Sequence, residues 1–210
     1  MRRTVICISH ETGAGGPALA SAVAHRLGYR YVDEDILVRA ARNEGLTVTE
    51  LENAERRKSF FARVADSLGS GPVGLYDAPA YQIPGFEPVP SADDLLGHIR
   101  RSIADIAEEG EVVIVSHAAS YALAARDDVL RVLVVASPDV RADRLAAEND
   151  LDQSAASRAI AEHDDARASY LKRVYGVKRE SPIHYDLVVN TDRFEPGELA
   201  ELVCSPSIST

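Results

Sequence analysis

The chain has 210 residues, which is enough for one α/β domain with a substantial hydrophobic core. Its hydrophobic content of 46% argues against global disorder, and no apolar stretch is long enough to span a bilayer. The formal net charge of −10 makes nucleic acid an unfavourable partner for the whole surface, because its phosphate backbone would be repelled. The beginning of the chain lacks the features of a secretory signal, so we expect a cytoplasmic protein without a membrane partner.

The first 28 residues predict a strand, a glycine-rich turn and a helix. Residues 4–9 form a short apolar, β-branched run, which is typical of a buried strand. Residues 17–27 have apolar side chains at helical spacing. Pro17 suits the first turn of this helix, where an N–H has no helical partner, and Gly28 is placed to end it.

The remainder of the chain alternates in the same way. Further strands are predicted at residues 29–32, 111–116, 129–136 and 185–191, and helices at 33–43, 47–68, 91–109, 117–125, 137–149, 152–175 and 195–203. A proline-rich segment at 70–90 is too long for an ordinary connection. We interpret it as a functional loop or insertion and as a candidate dimer arm. Short apolar strands alternating with helices predict an α/β fold with a mostly parallel sheet covered on both faces.

The turn after the first strand has the composition of an anion site. Glycines let backbone N–H groups approach a ligand, and a helix N-terminus adds partial positive charge. Two patterns compete for the ligand. Gly13, Gly15 and Ala18 fit a dinucleotide fingerprint, with Asp33 where a ribose-binding acid belongs. The phosphate-loop pattern G-x-x-x-x-G-K-[ST] is not met, because Gly16 and Pro17 occupy its last two positions.

The second half of the chain favours phosphoryl transfer. Asp164, Arg167 and Tyr170 are three residues apart and share a face of the predicted helix, and Lys172 follows closely. Arg141 and Arg144 belong to the helix before. Cationic side chains of this kind suit the charge that develops on a transferring phosphoryl group, although a solvated helix face would have the same spacing.

Five segments in order resemble the cytidylate kinase-like family, relatives of the nucleoside monophosphate kinases. They are "SHETGAGGP", "YVDED", "VIVSHAASYAL", "DDARASY" and "YDLVVNT". The resemblance implies a three-layer, P-loop NTPase-like domain over residues 1–210, with a mostly parallel five-stranded sheet and a helical lid. Residues 45–95 would form an acceptor-side insertion and residues 146–180 the lid.

The family also implies roles for individual residues. ATP and Mg²⁺ are the implied cofactors, and the donor phosphates would be held by the turn, formed by His10, Thr12, Gly13, Ala14, Gly15, Gly16, Pro17 and Ala18. Arg167, oriented by Asp164, would clamp the transferring group, and Arg141 or Arg144 would approach the donor. The acceptor would meet Asp33, Asp35, His117, Tyr170 and Lys172.

Three departures from the family pattern each remove a permanent cation. His10 and Pro17 stand where the family has arginine, and Ser116 and His117 replace its Gly-Arg pair. A neutral imidazole or a proline does not supply the missing charge at pH 7. Three functions therefore stay open for a chain with a small-molecule nucleotide as partner. One is phosphoryl transfer from ATP to a nucleoside monophosphate or a related acceptor. Another is binding of a nucleotide or anion without turnover, in a sensing or partner-binding role. The third, indicated by the dinucleotide fingerprint and Asp33, is a dinucleotide-dependent oxidoreductase.

Overall fold

The computed structural model describes residues 3–33, 92–116, 119–178 and 180–205. These residues form five strands and six α-helices, together with a short 3₁₀ helix at Pro182–His184. The strands are β1 (Val5–His10), β2 (Arg30–Val32), β3 (Val112–Val115), β4 (Val129–Val135) and β5 (Leu187–Asn190). The helices are α1 (Gly16–Leu27), α2 (Ala92–Glu109), α3 (Ala119–Ala122), α4 (Pro138–Asn149), α5 (Gln153–Tyr175) and α6 (Pro196–Val203).

The five strands form one parallel sheet in the order β2-β3-β1-β4-β5. β1 lies at the centre, where Ile8 is in register with Val115 of β3 and Val132 of β4. The predicted parallel α/β sheet is confirmed. In the dinucleotide-binding fold the second strand lies beside the first. Here β3 separates the two, so the dinucleotide interpretation of the turn is wrong.

Alternate residues of the central strands are buried on opposite faces of the sheet. Val5 and Cys7 of β1 pack against α2, α3 and the second half of α5. Ile6 and Ile8 pack against α1 and α6. Because both faces of these strands are covered, neither face is exposed to water, and the strands are therefore continuously apolar in sequence. The result is the three-layer arrangement that the sequence predicts.

Helices α4 and α5 follow β4 and pack against each other, and we refer to this pair as the corner. Asp152 caps α5 by accepting a hydrogen bond of 2.8 Å from the N–H of Ala155. The first half of α5 rests on α4 through a small separate cluster of Ala142, Ala156 and Ile160. Its second half enters the main core through Leu171. The two halves of α5 are therefore buried in different clusters, and a lid over residues 146–180 stays a prediction.

Parallel strands bring all their carboxyl ends to one edge of the sheet, and the loops at that edge form a crevice. The predicted helices at 33–43 and 47–68, the proline-rich segment at 70–90 and most of the acceptor-side insertion at 45–95 lie outside the described residues. Among the helices that are described, none combines the length and the apolar character needed to cross a membrane.

Candidate functional site

The turn between β1 and α1 has the backbone conformation of an anion-binding loop. Gly13 and Gly15 both have φ of 78°, in the left-handed region that favours glycine. The N–H of Ala14 donates to the carbonyl of Glu11 over 3.0 Å, which closes the turn tightly. Within the described part of the chain, four N–H groups of this segment have no acceptor, those of Thr12, Gly13, Gly15 and Gly16. Successive free N–H groups before a helix form a concave site for an anion.

The alternate carbonyl groups of the same turn are held by the protein. The carbonyl of His10 accepts from Arg167, that of Thr12 from Arg141, and that of Ala14 from the hydroxyl of Thr191. A peptide unit whose carbonyl is fixed has its orientation fixed as well. We refer to residues 10–16 as the phosphate loop and to these three contacts as its carbonyl contacts.

Arg141 joins the phosphate loop to both helices of the corner. Its Nε donates to the carbonyl of Thr12 over 2.7 Å, and its two terminal nitrogens form a bidentate pair with the carboxylate of Asp164 at 3.0 and 2.7 Å. The carboxylate of Glu11 lies 3.6 Å from the same guanidinium. Asp164 thus forms its bidentate pair with Arg141. The orienting role predicted for Asp164 towards Arg167 stays a prediction.

Arg167 is 5% exposed and contacts the last residue of β1. Its Nη1 donates to the carbonyl of His10, and its Nε and Nη2 donate to the carboxylate of Glu180 at 2.8 and 2.6 Å. The hydroxyl of Tyr185 also donates to Glu180. Burial raises the pKa of Tyr185 above its ordinary range, so the phenol remains a donor. The predicted phosphoryl clamp therefore has a structural partner in Glu180.

Arg144 approaches the phosphate loop from α4. Its Nη1 and Nη2 donate to the hydroxyl and the carbonyl of Thr191 at 2.8 and 2.7 Å. A side chain at Gly15 would begin 3.9 Å from Nη1 of Arg144, so the guanidinium lies directly beside the loop. The predicted position of Arg144 near a donor phosphate is compatible with this geometry.

His10 occupies the space into which a side chain at position 16 would extend. A Cβ atom built on Gly16 would collide with the His10 side chain, so the loop accepts only glycine there while His10 keeps this orientation. Burial lowers the pKa of His10 to about 4, and the nearby Arg167 and Arg141 charges act in the same direction. At pH 7 this imidazole is neutral and supplies no positive charge to the loop. Pro17 is exposed on the first turn of α1 and has no N–H to offer a ligand.

A cavity of about 190 Å³ opens beside the phosphate loop. It is bounded by charged groups from the loop, from α5 and from the segment after α5, namely Glu11, Asp164, Arg167, Lys178 and Glu180. Burial raises the pKa of Glu11 from its ordinary value, although Arg141 opposes this effect. The cavity places a carboxylate and a guanidinium next to the anion site.

The remaining predicted site residues differ in burial, and two of them lie outside the described residues. Tyr170 is 3% exposed within the core that α5 shares with the sheet, and its contact with a substrate stays a prediction. Lys172 is exposed on α5 and Asp33 follows β2. Asp35 and His117 lie outside the described residues.

Sequence reasoning missed three residues that shape the site, Glu180, Thr191 and His163. The Nδ1 of His163 is joined to the hydroxyl of Thr12 by a hydrogen bond of 3.3 Å. The position of Thr191 directly after a predicted strand could have indicated that it lies at the carboxyl edge of the sheet. No sequence pattern indicated Glu180 or His163, because their contacts depend on how α5 packs.

Comparisons with known proteins identify the family of this chain. The model of the cytidylate kinase-like family matches residues 5–193. A cytidylate kinase of Sulfurisphaera tokodaii is 24% identical over 201 residues, covering 95% of this chain and 92% of its own. That of Ignicoccus hospitalis is 26% identical over 200 residues and covers 95% and 96%. That of Methanopyrus kandleri is 31% identical over 108 residues, which is 48% of this chain and 56% of its own.

Solved structures share the fold at low sequence identity. An uncharacterised protein of Eubacterium ventriosum has a TM-score of 0.68 at 15% identity and covers 98% of both chains. Shikimate kinase of Bacteroides thetaiotaomicron has a TM-score of 0.53 at 14% identity and covers 95% of both chains. The fold is thus that of P-loop kinases. Because the family model spans nearly the whole length, this chain belongs to the cytidylate kinase-like family.

Proposed function

We propose that the chain transfers the γ-phosphoryl group of ATP to a nucleoside monophosphate or a related small phosphoryl acceptor. The phosphate loop is the observation that carries this proposal. Its carbonyl groups are fixed from behind, and four of its N–H groups are free at the carboxyl edge of the central strand. Family membership and the P-loop kinase fold support the same class of reaction.

The phosphate loop fits the phosphates of a nucleotide. The backbone of Gly13 comes so close to α4 that a Cβ atom there would lie 2.5 Å from the carbonyl oxygen of Arg141. Only glycine combines this approach with the left-handed φ of the turn. The N–H groups of Gly13, Gly15 and Gly16 would hold the phosphate oxygens, aided by the N-terminus of α1.

Magnesium would enter the site with the nucleotide. Within the described part of the chain, no group of three or more His, Cys, Asp or Glu side chains could hold a metal ion. Mg²⁺ usually keeps several waters and is bound by substrate phosphates with one or two carboxylates. Glu11 is a carboxylate of the phosphate loop itself and would serve as such a partner. The ion would supply neutralising charge to the transferring phosphoryl group.

The three arginines surround the phosphate loop with positive charge. Arg141 and Arg167 are both 5% exposed, so their charge is weakly screened by water and acts on the adjacent loop. Arg144 lies beside Gly15. In the proposed reaction these groups favour the anionic donor and the charge that develops during transfer.

A second candidate function is binding without turnover. Arg141 and Arg167 are each neutralised by a bidentate carboxylate, and the imidazole of His10 is uncharged at pH 7. A site in which these two arginines are already paired binds phosphate through its backbone and Arg144, but Arg141 and Arg167 are then not available to clamp the transferring group. The chain would then act as a nucleotide-dependent binding protein.

One assay separates the two functions. The purified chain is incubated with MgATP and a panel of nucleoside monophosphates and hydroxyl acceptors, and ADP and phosphorylated product are both measured. We expect acceptor-dependent ADP formation in stoichiometric amounts with product, and its loss in the variant Gly13→Ala. Binding of ATP in a calorimeter without product from any acceptor would establish the second function instead.

A further inference from the structure

Thr191 connects the last strand of the sheet to the phosphate loop. It directly follows β5, and its N–H donates to the carbonyl of Val135 at the end of β4 over 3.0 Å. The residue is 5% exposed, so its hydroxyl is out of reach of solvent. A buried hydroxyl of this kind is kept where its hydrogen bonds are needed.

The hydroxyl of Thr191 is the centre of a chain of hydrogen bonds. It donates to the carbonyl of Ala14 over 2.8 Å and accepts from Nη1 of Arg144 over 2.8 Å. The carbonyl of Thr191 accepts from Nη2 of Arg144 over 2.7 Å. One residue thus fixes a peptide unit of the phosphate loop and the guanidinium beside it.

We propose that Thr191 is a positioning residue for anion binding at the phosphate loop. This inference rests on the proposed function only in taking the loop as the phosphate site. The Ala14 carbonyl belongs to the peptide unit whose nitrogen is that of Gly15, one of the four free donors. Holding the oxygen sets the direction of that N–H, because the peptide unit is planar.

The same hydroxyl also holds the guanidinium of Arg144 in position. Without the acceptor at Thr191, Nη1 loses one of the two bonds that hold the guanidinium beside Gly15. A mobile guanidinium interacts with a bound phosphate less favourably than one held in place, since ordering it then costs entropy on binding. Both effects act on ligand affinity, and neither requires Thr191 to touch the ligand.

Inorganic tripolyphosphate and MgATP are the probes for this proposal, with dissociation constants measured by calorimetry. Thr191→Val keeps the shape of the side chain and removes the hydroxyl, whereas Thr191→Ser keeps the hydroxyl. We expect Thr191→Val to bind both probes about tenfold more weakly, equivalent to one hydrogen bond, and Thr191→Ser to bind within about twofold of the natural chain.

Thr4→Val is the matched control. The Thr4 hydroxyl donates to Asp128 over 3.0 Å at the opposite end of β1, so the valine variant there loses a hydrogen bond far from the loop. Thermal unfolding of each variant verifies that it is folded. Equal affinity in Thr191→Val and the natural chain, or equal weakening in Thr4→Val, would overturn the positioning role alone. A natural chain that binds neither probe would overturn the phosphate site itself.

Discussion

The neutral state of His10 makes the stability of the protein depend on pH. Burial lowers its pKa from 6.5 to about 4, so the unfolded chain takes up a proton before the folded chain does. The associated stability is present above pH 6.5 and is lost as the pH falls towards 4. We expect His10→Gln to remove this contribution, so that the variant loses about 2 kcal/mol less than the natural chain between pH 7 and pH 5.

Urea unfolding at the two pH values measures this difference. His25→Gln removes a histidine from the exposed side of α1 and is the control, because it also changes the number of titrating groups by one. Identical pH dependence in the natural chain and in His10→Gln would show that the imidazole is solvated in the folded protein. It would also reopen His10 as a cation for the phosphate loop.

Two glycines with the same backbone conformation differ in their surroundings. Gly13 has φ of 78° and no room for a side chain, whereas Gly28 at the end of α1 has φ of 70° and nothing within 4 Å of a new Cβ atom. We expect Gly28→Ala to cost about 1 kcal/mol of stability and to leave tripolyphosphate affinity unchanged. Gly13→Ala should cost about 2 kcal/mol or more and abolish binding, because α4 must move.

Thermal unfolding and calorimetric titration of the two variants distinguish backbone strain, which both share, from the collision of a new Cβ atom with Arg141, which only Gly13→Ala would have. Because both positions demand left-handed backbone, the difference between them isolates the close approach of Gly13 to Arg141. Full affinity in Gly13→Ala would mean that the phosphate loop adapts to a side chain and that its shape is not what binds the anion.

The two halves of α5 are buried in different hydrophobic clusters. Ile160 packs in the small cluster with Ala142 and Ala156, and Leu171 lies in the main core at 1% exposure. We expect Leu171→Ala to lower the free energy of unfolding by about 3 kcal/mol. Ile160→Ala should instead speed amide hydrogen exchange in the first half of α5 while changing global stability by about 1 kcal/mol.

Hydrogen exchange read by mass spectrometry, together with urea unfolding, measures both effects. If exchange in the two halves of α5 rose together in Ile160→Ala, the helix would open as one unit, and the predicted lid would be contradicted. The matched truncations differ mainly in the cluster to which each side chain belongs.

The elements were predictable from sequence to a greater extent than the contacts between them. Apolar runs such as residues 4–9 and the glycine at position 28 encode strands and helix ends locally. The pairing of Arg141 with Asp164 and of Arg144 with Thr191 joins elements that are far apart in sequence. Helical spacing placed Asp164 and Arg167 on one face but could not show which partner each would meet, since that is decided by packing.

For the whole molecule, a ligand of the phosphate loop should stabilise the fold as a unit. The loop is tied by its carbonyl groups to β5, α4 and α5, so the bound state requires all these elements to be in place. Tripolyphosphate at a hundredfold excess over its dissociation constant should add about 2.7 kcal/mol to the free energy of unfolding. For a chain of 210 residues this raises Tm by about 5–10 °C.

Calorimetric scans at increasing tripolyphosphate concentration measure the shift, and Gly13→Ala, whose loop cannot close on the anion, should show none. An equal shift in that variant would place the anion elsewhere on the protein, whereas a single transition that moves only in the natural chain places it at the loop without requiring turnover.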